Sequence, residues 1–235
     1  MISITFILEV CIETVADAIT AAEAGADRLE LCAALHDGGL TPAIETFAAV
    51  KSAVSIPVVA MIRLRPGHFR IDDRDLAEMA TSMDDLSRHR PDGFIFGAAR
   101  GDGRLDRGAM KRLREAAGNF PSSCHRAFDT VPDPTDELEW LIDAGFDRVL
   151  TSGRPGNALD HLDLLKSLML QAKERIAVMP GSGVRADGIE RIVAATGCRE
   201  LHGSFHRRDG TRRCTDRSAV RLARQALDRL SNASG

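Results

Sequence analysis

The sequence predicts an α/β fold: a single (β/α)8 TIM barrel of parallel strands over residues 1–235, with residues 205–235 as a loop and a C-terminal helix. Short runs rich in β-branched residues alternate with longer amphipathic stretches, the pattern of βαβ units around a parallel sheet. The length of 235 residues suits one such barrel. The run Ala24-Gly25-Ala26-Asp27-Arg28-Leu29 returns as Ala144-Gly145-Phe146-Asp147-Arg148-Val149, leading into the second and sixth strand candidates. A repeat half a barrel apart suits an eightfold closed sheet better than an open doubly wound one.

In chain order the strand candidates are Ile4–Val10, Arg28–Leu31, Pro57–Ile62, Gly93–Phe96, Ser122–Ala127, Arg148–Leu150, Arg175–Met179 and Glu200–Gly203. They recur every ~25–35 residues, the length of a βα unit. The helices between them carry their own punctuation. Asp133-Pro134 reads as N-cap and first helical residue, and Gly145 as the closing residue of that helix. Thr41-Pro42 repeats the opening, and Gly25, Gly118 and Gly197 repeat the closing. Leu138, Leu141 and Ile142 share one face at the helical period.

A hydrophobic fraction of 44% and a charged fraction of 28% are those of an ordinary globular domain, which argues against a disordered chain or an extracellular scaffold. A net charge of -3 gives no electrostatic reason for a nucleic-acid partner. Arg207, Arg208, Arg212 and Arg213 come nearest to a basic patch, but Asp209 and Gly210 interrupt them, as in a solvated loop. The apolar stretch Met1–Val10 has no basic flank and runs into Glu9, Glu13 and Asp17, unlike a signal peptide. No run approaches the ~20 apolar residues of a membrane span, so no membrane partner is expected. Cys11, Cys32, Cys124, Cys198 and Cys214 are scattered and odd in number, which predicts reduced thiols and a cytoplasmic location.

In this fold the βα loops at the strand carboxyl ends build the site. Reading each strand to its end gives Glu9 and Cys11, Glu30 and Cys32, Arg63 and Arg65, His125, Arg126 and Asp129, Thr151 and Ser152, Ser182, and His202 and Ser204. The first two strands end alike, as Leu8-Glu9-Val10-Cys11 and Leu29-Glu30-Leu31-Cys32, and alternation puts each Glu on the same side as its Cys. Carboxylates inside a barrel need partners, and arginines such as Arg63 or Arg126 are expected to supply them. The cysteines read either as thiolates or as small buried hydrophobes. Arg63 and Arg65 offer planar forks for a carboxylate or phosphate. His125 is expected to titrate near neutral pH, with Asp129 either orienting it or pairing Arg126. Gly181-Ser182-Gly183 is a glycine-rich turn into a helix, where such barrels often hold an anion on backbone N–H groups, and Thr151-Ser152-Gly153 could add donors. Lys51, Lys111, Lys166 and Lys173 fall in helices or at strand amino ends, which disfavours Schiff-base chemistry. The His and Asp spacing of a barrel metallohydrolase is missing, as is any sign of an organic cofactor.

Leu8-Glu9-Val10-Cys11, Gly25-Ala26-Asp27-Arg28-Leu29-Glu30-Leu31-Cys32, Gly38-Gly39-Leu40-Thr41-Pro42, Met61-Ile62-Arg63, His125-Arg126-Ala127-Phe128-Asp129, Leu150-Thr151-Ser152-Gly153 and Gly183-Val184 resemble, in order, the motifs of the CutC, or copper homeostasis protein, family. The likeness spans about residues 5–204. It implies a barrel, a cytoplasmic location, self-association as a homodimer or higher homo-oligomer, and a copper role involving the two strand-end cysteines, here Cys11 and Cys32.

Two readings follow, beside a third, a non-catalytic ligand-binding barrel. As a copper protein, the chain holds Cu(I) through the soft sulfurs of Cys11 and Cys32. As an enzyme, it takes a small anionic phosphate or carboxylate metabolite at the barrel mouth. There Glu9, Glu30, Arg63, His125, Asp129 and His202 are the candidate catalytic groups, and Arg65, Arg126, Thr151, Ser152, Gly181, Ser182 and Gly183 the candidate ligand contacts.

Overall fold

The computed structural model describes residues 5–209 and 212–233. Eight parallel strands form the barrel: β1 (Ile7–Ile12), β2 (Arg28–Leu31), β3 (Val58–Met61), β4 (Phe94–Phe96), β5 (Ser122–Cys124), β6 (Arg148–Thr151), β7 (Ala177–Pro180) and β8 (Glu200–Gly203). Seven helices alternate with them: α1 (Val15–Ala24), α2 (Ile44–Ala53), α3 (Asp73–Ser87), α4 (Arg107–Ala116), α5 (Pro134–Asp143), α6 (Leu162–Ala172) and α7 (Ala186–Thr196). The sheet runs in the order β7-β6-β5-β4-β3-β2-β1-β8, with β1 paired to both β2 and β8 and with β7 against β8. The expected TIM barrel is therefore the fold.

Side chains alternate across the sheet with period two. Leu8, Val10, Ile12, Leu29, Leu31, Phe94, Phe96, Val149 and Leu201 pack outward against the helices, in one core with Phe47, Met79 and Met83. The other face of each strand lines the barrel. Its apolar part is small, made of Cys11, Cys32, Met61, Ile95, Leu150 and Met179. The rest of the interior is polar, which is how charged side chains come to lie in the centre of the fold.

Several boundaries differ from the sequence reading. β1 continues to Ile12, and Ile4, expected at its start, lies outside the described residues. β5 ends at Cys124 because His125 turns the chain: its Nδ1 accepts from the Ala127 N–H at 3.2 Å and caps a 3-10 turn over Arg126–Thr130. Thr41 does not open α2, whose N-cap is Ala43. Instead its hydroxyl donates to the Arg63 carbonyl at 3.1 Å and accepts from the Arg63 N–H at 2.9 Å, tying the loop after β2 to the end of β3. Asp133 caps α5 as expected, accepting from Thr135 and Asp136 N–H groups.

Residues 205–235 were expected to form a loop and a C-terminal helix; α8 (Arg217–Ala233) is that helix, but β9 (His206–Asp209) and β10 (Arg212–Thr215) pair antiparallel before it. Asp17 on α1 anchors this hairpin by accepting from the Thr215 N–H at 2.7 Å.

Candidate functional site

The barrel mouth encloses a cavity of about 880 Å³. Its floor is built by β1, β2 and β8, whose register sets Glu9 beside Arg28 and His202, and Cys11 beside Glu30. Below the floor, at the strand amino ends, Arg28 donates to both Glu9 and Glu200, the latter at 2.6 Å, and Arg148 joins Glu200 at 2.7 Å. The buried partner of Glu9 is thus Arg28 together with His202, not Arg63 or Arg126. The reason is positional: Arg28 is two residues before Glu30 on the same strand face, inside the barrel, whereas Arg63 and Arg126 leave the sheet in loops.

His202 links the ion cluster to the cavity. Its Nδ1 lies 2.8 Å from a Glu9 oxygen and 3.5 Å from a Glu30 oxygen. Above it the Cys11 thiol donates to Glu30 at 3.7 Å, and the Cys11 and Cys32 sulfurs are 3.4 Å apart. Glu9, Glu30, Cys11 and Cys32 are buried, and His202 is 12% exposed.

Their protonation follows from neighbours. Burial works against the charge on Glu9, but Arg28 and His202 overcome it and hold the carboxyl at about 2. At Glu30 burial and the Glu9 charge outweigh the pull of His202 and Arg28, and the carboxyl is pushed up from 4.5 to about 7. The Cys11 thiol is pushed well up by its contact with Cys32, by burial and by the two glutamates. His202, though buried, is held above its ordinary value by Glu30 and Glu9.

The two glutamates therefore act on stability in opposite directions. Glu9 is depressed, so its contribution is full above pH 4.5 and is lost as pH falls toward about 2. Glu30 is raised, so folding binds a proton between pH 4.5 and about 7, and stability declines as pH rises through that window. Glu30→Gln is expected to remove about 1–3 kcal/mol of that decline, read from urea unfolding at about pH 5 and about pH 8. An unchanged difference between the two pH values in the variant would place the carboxyl in its ordinary range.

Arg63, His125 and Arg126 stand on the cavity wall. Arg63 does not offer its fork to a ligand: Nη1 donates to the Asp37 and Gly39 carbonyls, both at 3.2 Å, and Nη2 to Gly67 at 3.1 Å. His125 does not titrate near neutrality, because burial and the Arg63 charge lower it to about 3. Asp129 leaves His125 alone. It accepts from Arg126 at 2.8 Å, Thr151 Oγ1 at 2.6 Å, and the Ser152 N–H and hydroxyl at 2.9 and 2.8 Å. Asp129, Thr151 and Ser152 thus form a closed set that braces the loops.

Ser182 and Gly183 line the cavity, but the Gly181 N–H is already committed to the Thr151 carbonyl at 3.0 Å. Arg65 is the residue not brought in: it faces the outside of its loop and pairs with Asp75. The sequence reading missed Arg28, Arg148 and Glu200 below the floor, and Met61 and Phe69 on the wall.

Residues 6–207 match the model of the CutC family. A human relative, copper homeostasis protein cutC homolog, is 43% identical over 199 residues, covering 85% of this chain and 73% of its own length. A family protein CutC from Caulobacter vibrioides is 46% identical over 199 residues, covering 85% and 81%. Among solved structures, a CutC protein from Streptococcus agalactiae superposes with a TM-score of 0.82 at 28% identity, covering 85% of this chain and 99% of that one. Phosphoribosyl anthranilate isomerase from Thermotoga maritima shares the fold alone, with a TM-score of 0.61 at 12% identity over 95% of this chain and 99% of that one. On the length of the family match and the identity of these relatives, this chain belongs to the CutC family.

Proposed function

We propose that the chain takes part in copper homeostasis by binding Cu(I) as cargo through Cys11 and Cys32. One observation carries the reading: two buried thiol sulfurs, Cys11 on β1 and Cys32 just after β2, stand 3.4 Å apart, and Cys11 lines the barrel-mouth cavity. Their surroundings fit a soft ion. Met61 belongs to the same small apolar cluster, and a Cβ placed on Gly39 would come within 3.3 Å of the Cys32 sulfur and 3.4 Å of Met61 Cε. Thiolate and thioether donors are the ones that select Cu(I).

The same reading places the protein in the cytoplasm, where a reducing environment keeps cysteines free, as the five are here. It also includes self-association. Ile19 on α1 and Leu222 on α8 are exposed apolar side chains on neighbouring helices. Mass measurement in solution at increasing protein concentration tests that part.

The copper reading is tested by titrating Cu(I) against a chromogenic chelator. One Cu(I) per chain is expected, with Cys11 and Cys32 protected from alkylation. Because the Cys11 thiol is raised and so protonated at neutral pH, Cu(I) displaces its proton on binding, and affinity should rise with pH. Alkylation undiminished by copper, or affinity independent of pH, would count against the pair.

A further inference from the structure

We infer that the barrel mouth contains a second site, separate from the cysteine pair, which binds the carboxylate of a small organic acid between His125 and Arg63. Nearly all buried polar side-chain atoms in a folded protein have hydrogen-bond partners. Among the described residues, His125 Nε2 and Arg63 Nε have none, although His125 is 3% exposed and Arg63 8%. Both residues line the cavity, one from the end of β3 and the other from the end of β5.

The two side chains are held in place by everything except these atoms. The Ala127 N–H fixes His125 Nδ1 as an acceptor, so the neutral ring carries its hydrogen on Nε2. The imidazole lies against Gly97, where a Cβ would come within 2.4 Å of Nδ1; any larger residue there would displace the ring. Three carbonyls hold the guanidinium of Arg63, and Gly38 lies so close that a Cβ would be 3.1 Å from Nη1. Phe69 bridges them, with its ring centre 4.8 Å from that of the imidazole and 5.0 Å from the guanidinium carbon. Solvent reaches neither N–H, so an entering ligand oxygen has to displace a side chain packed over them, and Phe69 is the ring that touches both.

The charge and donor count select the ligand. A neutral imidazole and one guanidinium present one positive charge and one free N–H each, which matches the single charge and two oxygens of a carboxylate. A phosphate, with more charge and three free oxygens, calls for more donors. Nearby acids do not fill the role. Asp129 is consumed by Arg126, Thr151 and Ser152, and Asp37, on the exposed rim beside His36, acts on Arg63 through its charge without bonding Arg63 Nε. Preorganised donors shielded from water hydrogen-bond more strongly than solvated ones.

The test uses the full chain with acetate, pyruvate, malonate, succinate and inorganic phosphate as probes. It reads the nitrogen-15 resonances of labelled histidine together with thermal melts. At least one carboxylate should shift the His125 Nε2 resonance saturably and raise the melting temperature by about 5 °C at saturation. His125→Phe keeps the ring packing but removes the donor, and should weaken that carboxylate at least tenfold while leaving Cu(I) affinity unchanged. Arg63→Lys should weaken it similarly. Four carboxylates without a saturable shift, phosphate binding in their place, or equal affinity in a folded His125→Phe variant would overturn the assignment. None of these results bears on the cysteine pair, which is scored by copper alone.

Discussion

Arg28→Met is expected to destabilise the protein by about 3–5 kcal/mol, the effect of removing one partner of a buried ion pair. Arg28 is the cation beside Glu9, and it also donates to Glu200 at 2.6 Å and to Met179 sulfur at 3.4 Å. Without it Glu200 keeps Arg148, but Glu9 keeps only His202 in the barrel interior. The carboxyl would then move up from about 2, and His202 would lose the neighbouring positive charge that opposes its own. Adding Glu9→Gln to Arg28→Met should recover most of the loss, because no unpaired charge remains. Urea unfolding of the two variants decides it. A single variant within about 1 kcal/mol of the parent, or a double variant no better than the single, would mean that the cluster is solvated and contributes little.

How much of this was legible in the sequence depends on which physical signal sets each feature. The period of two along Leu8-Glu9-Val10-Cys11 and Leu29-Glu30-Leu31-Cys32 places both Glu–Cys pairs inside the barrel, and they are found there. The same rule applied one step earlier puts Arg28 on the Glu30 face, so the true partner of Glu9 was available. The loop arginines Arg63 and Arg126 drew the reading away from it. What period alone does not give is register across the barrel: Glu200 meets Arg28, 172 residues earlier in the chain, because β8 pairs with β1.

Loop chemistry was the least legible. Thr41 has the look of a helix opener but serves as a clamp on Arg63, a choice made by contact rather than local propensity. His125 reads as a strand-end base, yet burial and the Arg63 charge keep it neutral. Gly97, which gives its ring room, is one glycine among 20 in the sequence. The β9–β10 pair did leave a signal, since Asp209-Gly210 between two short runs is a favoured hairpin dipeptide.

The central claim is that the paired sulfurs on β1 and β2 are the copper ligands, and Cys11→Ser and Cys32→Ser test it most directly. Serine preserves size and the hydrogen bonds to Glu30 and the Ile12 carbonyl, so unfolding stability should change by less than about 1.5 kcal/mol. Oxygen is a poor donor to a soft ion, so each variant should lose at least about 100-fold in Cu(I) affinity. The measurement is competition with a Cu(I) chelator for the parent and both serine variants, under reducing conditions at one pH. The account predicts stoichiometric binding by the parent and a loss in each single variant nearly as large as in the double. Parent-like affinity in either folded serine variant would contradict it, because a site built on two sulfurs does not survive with one.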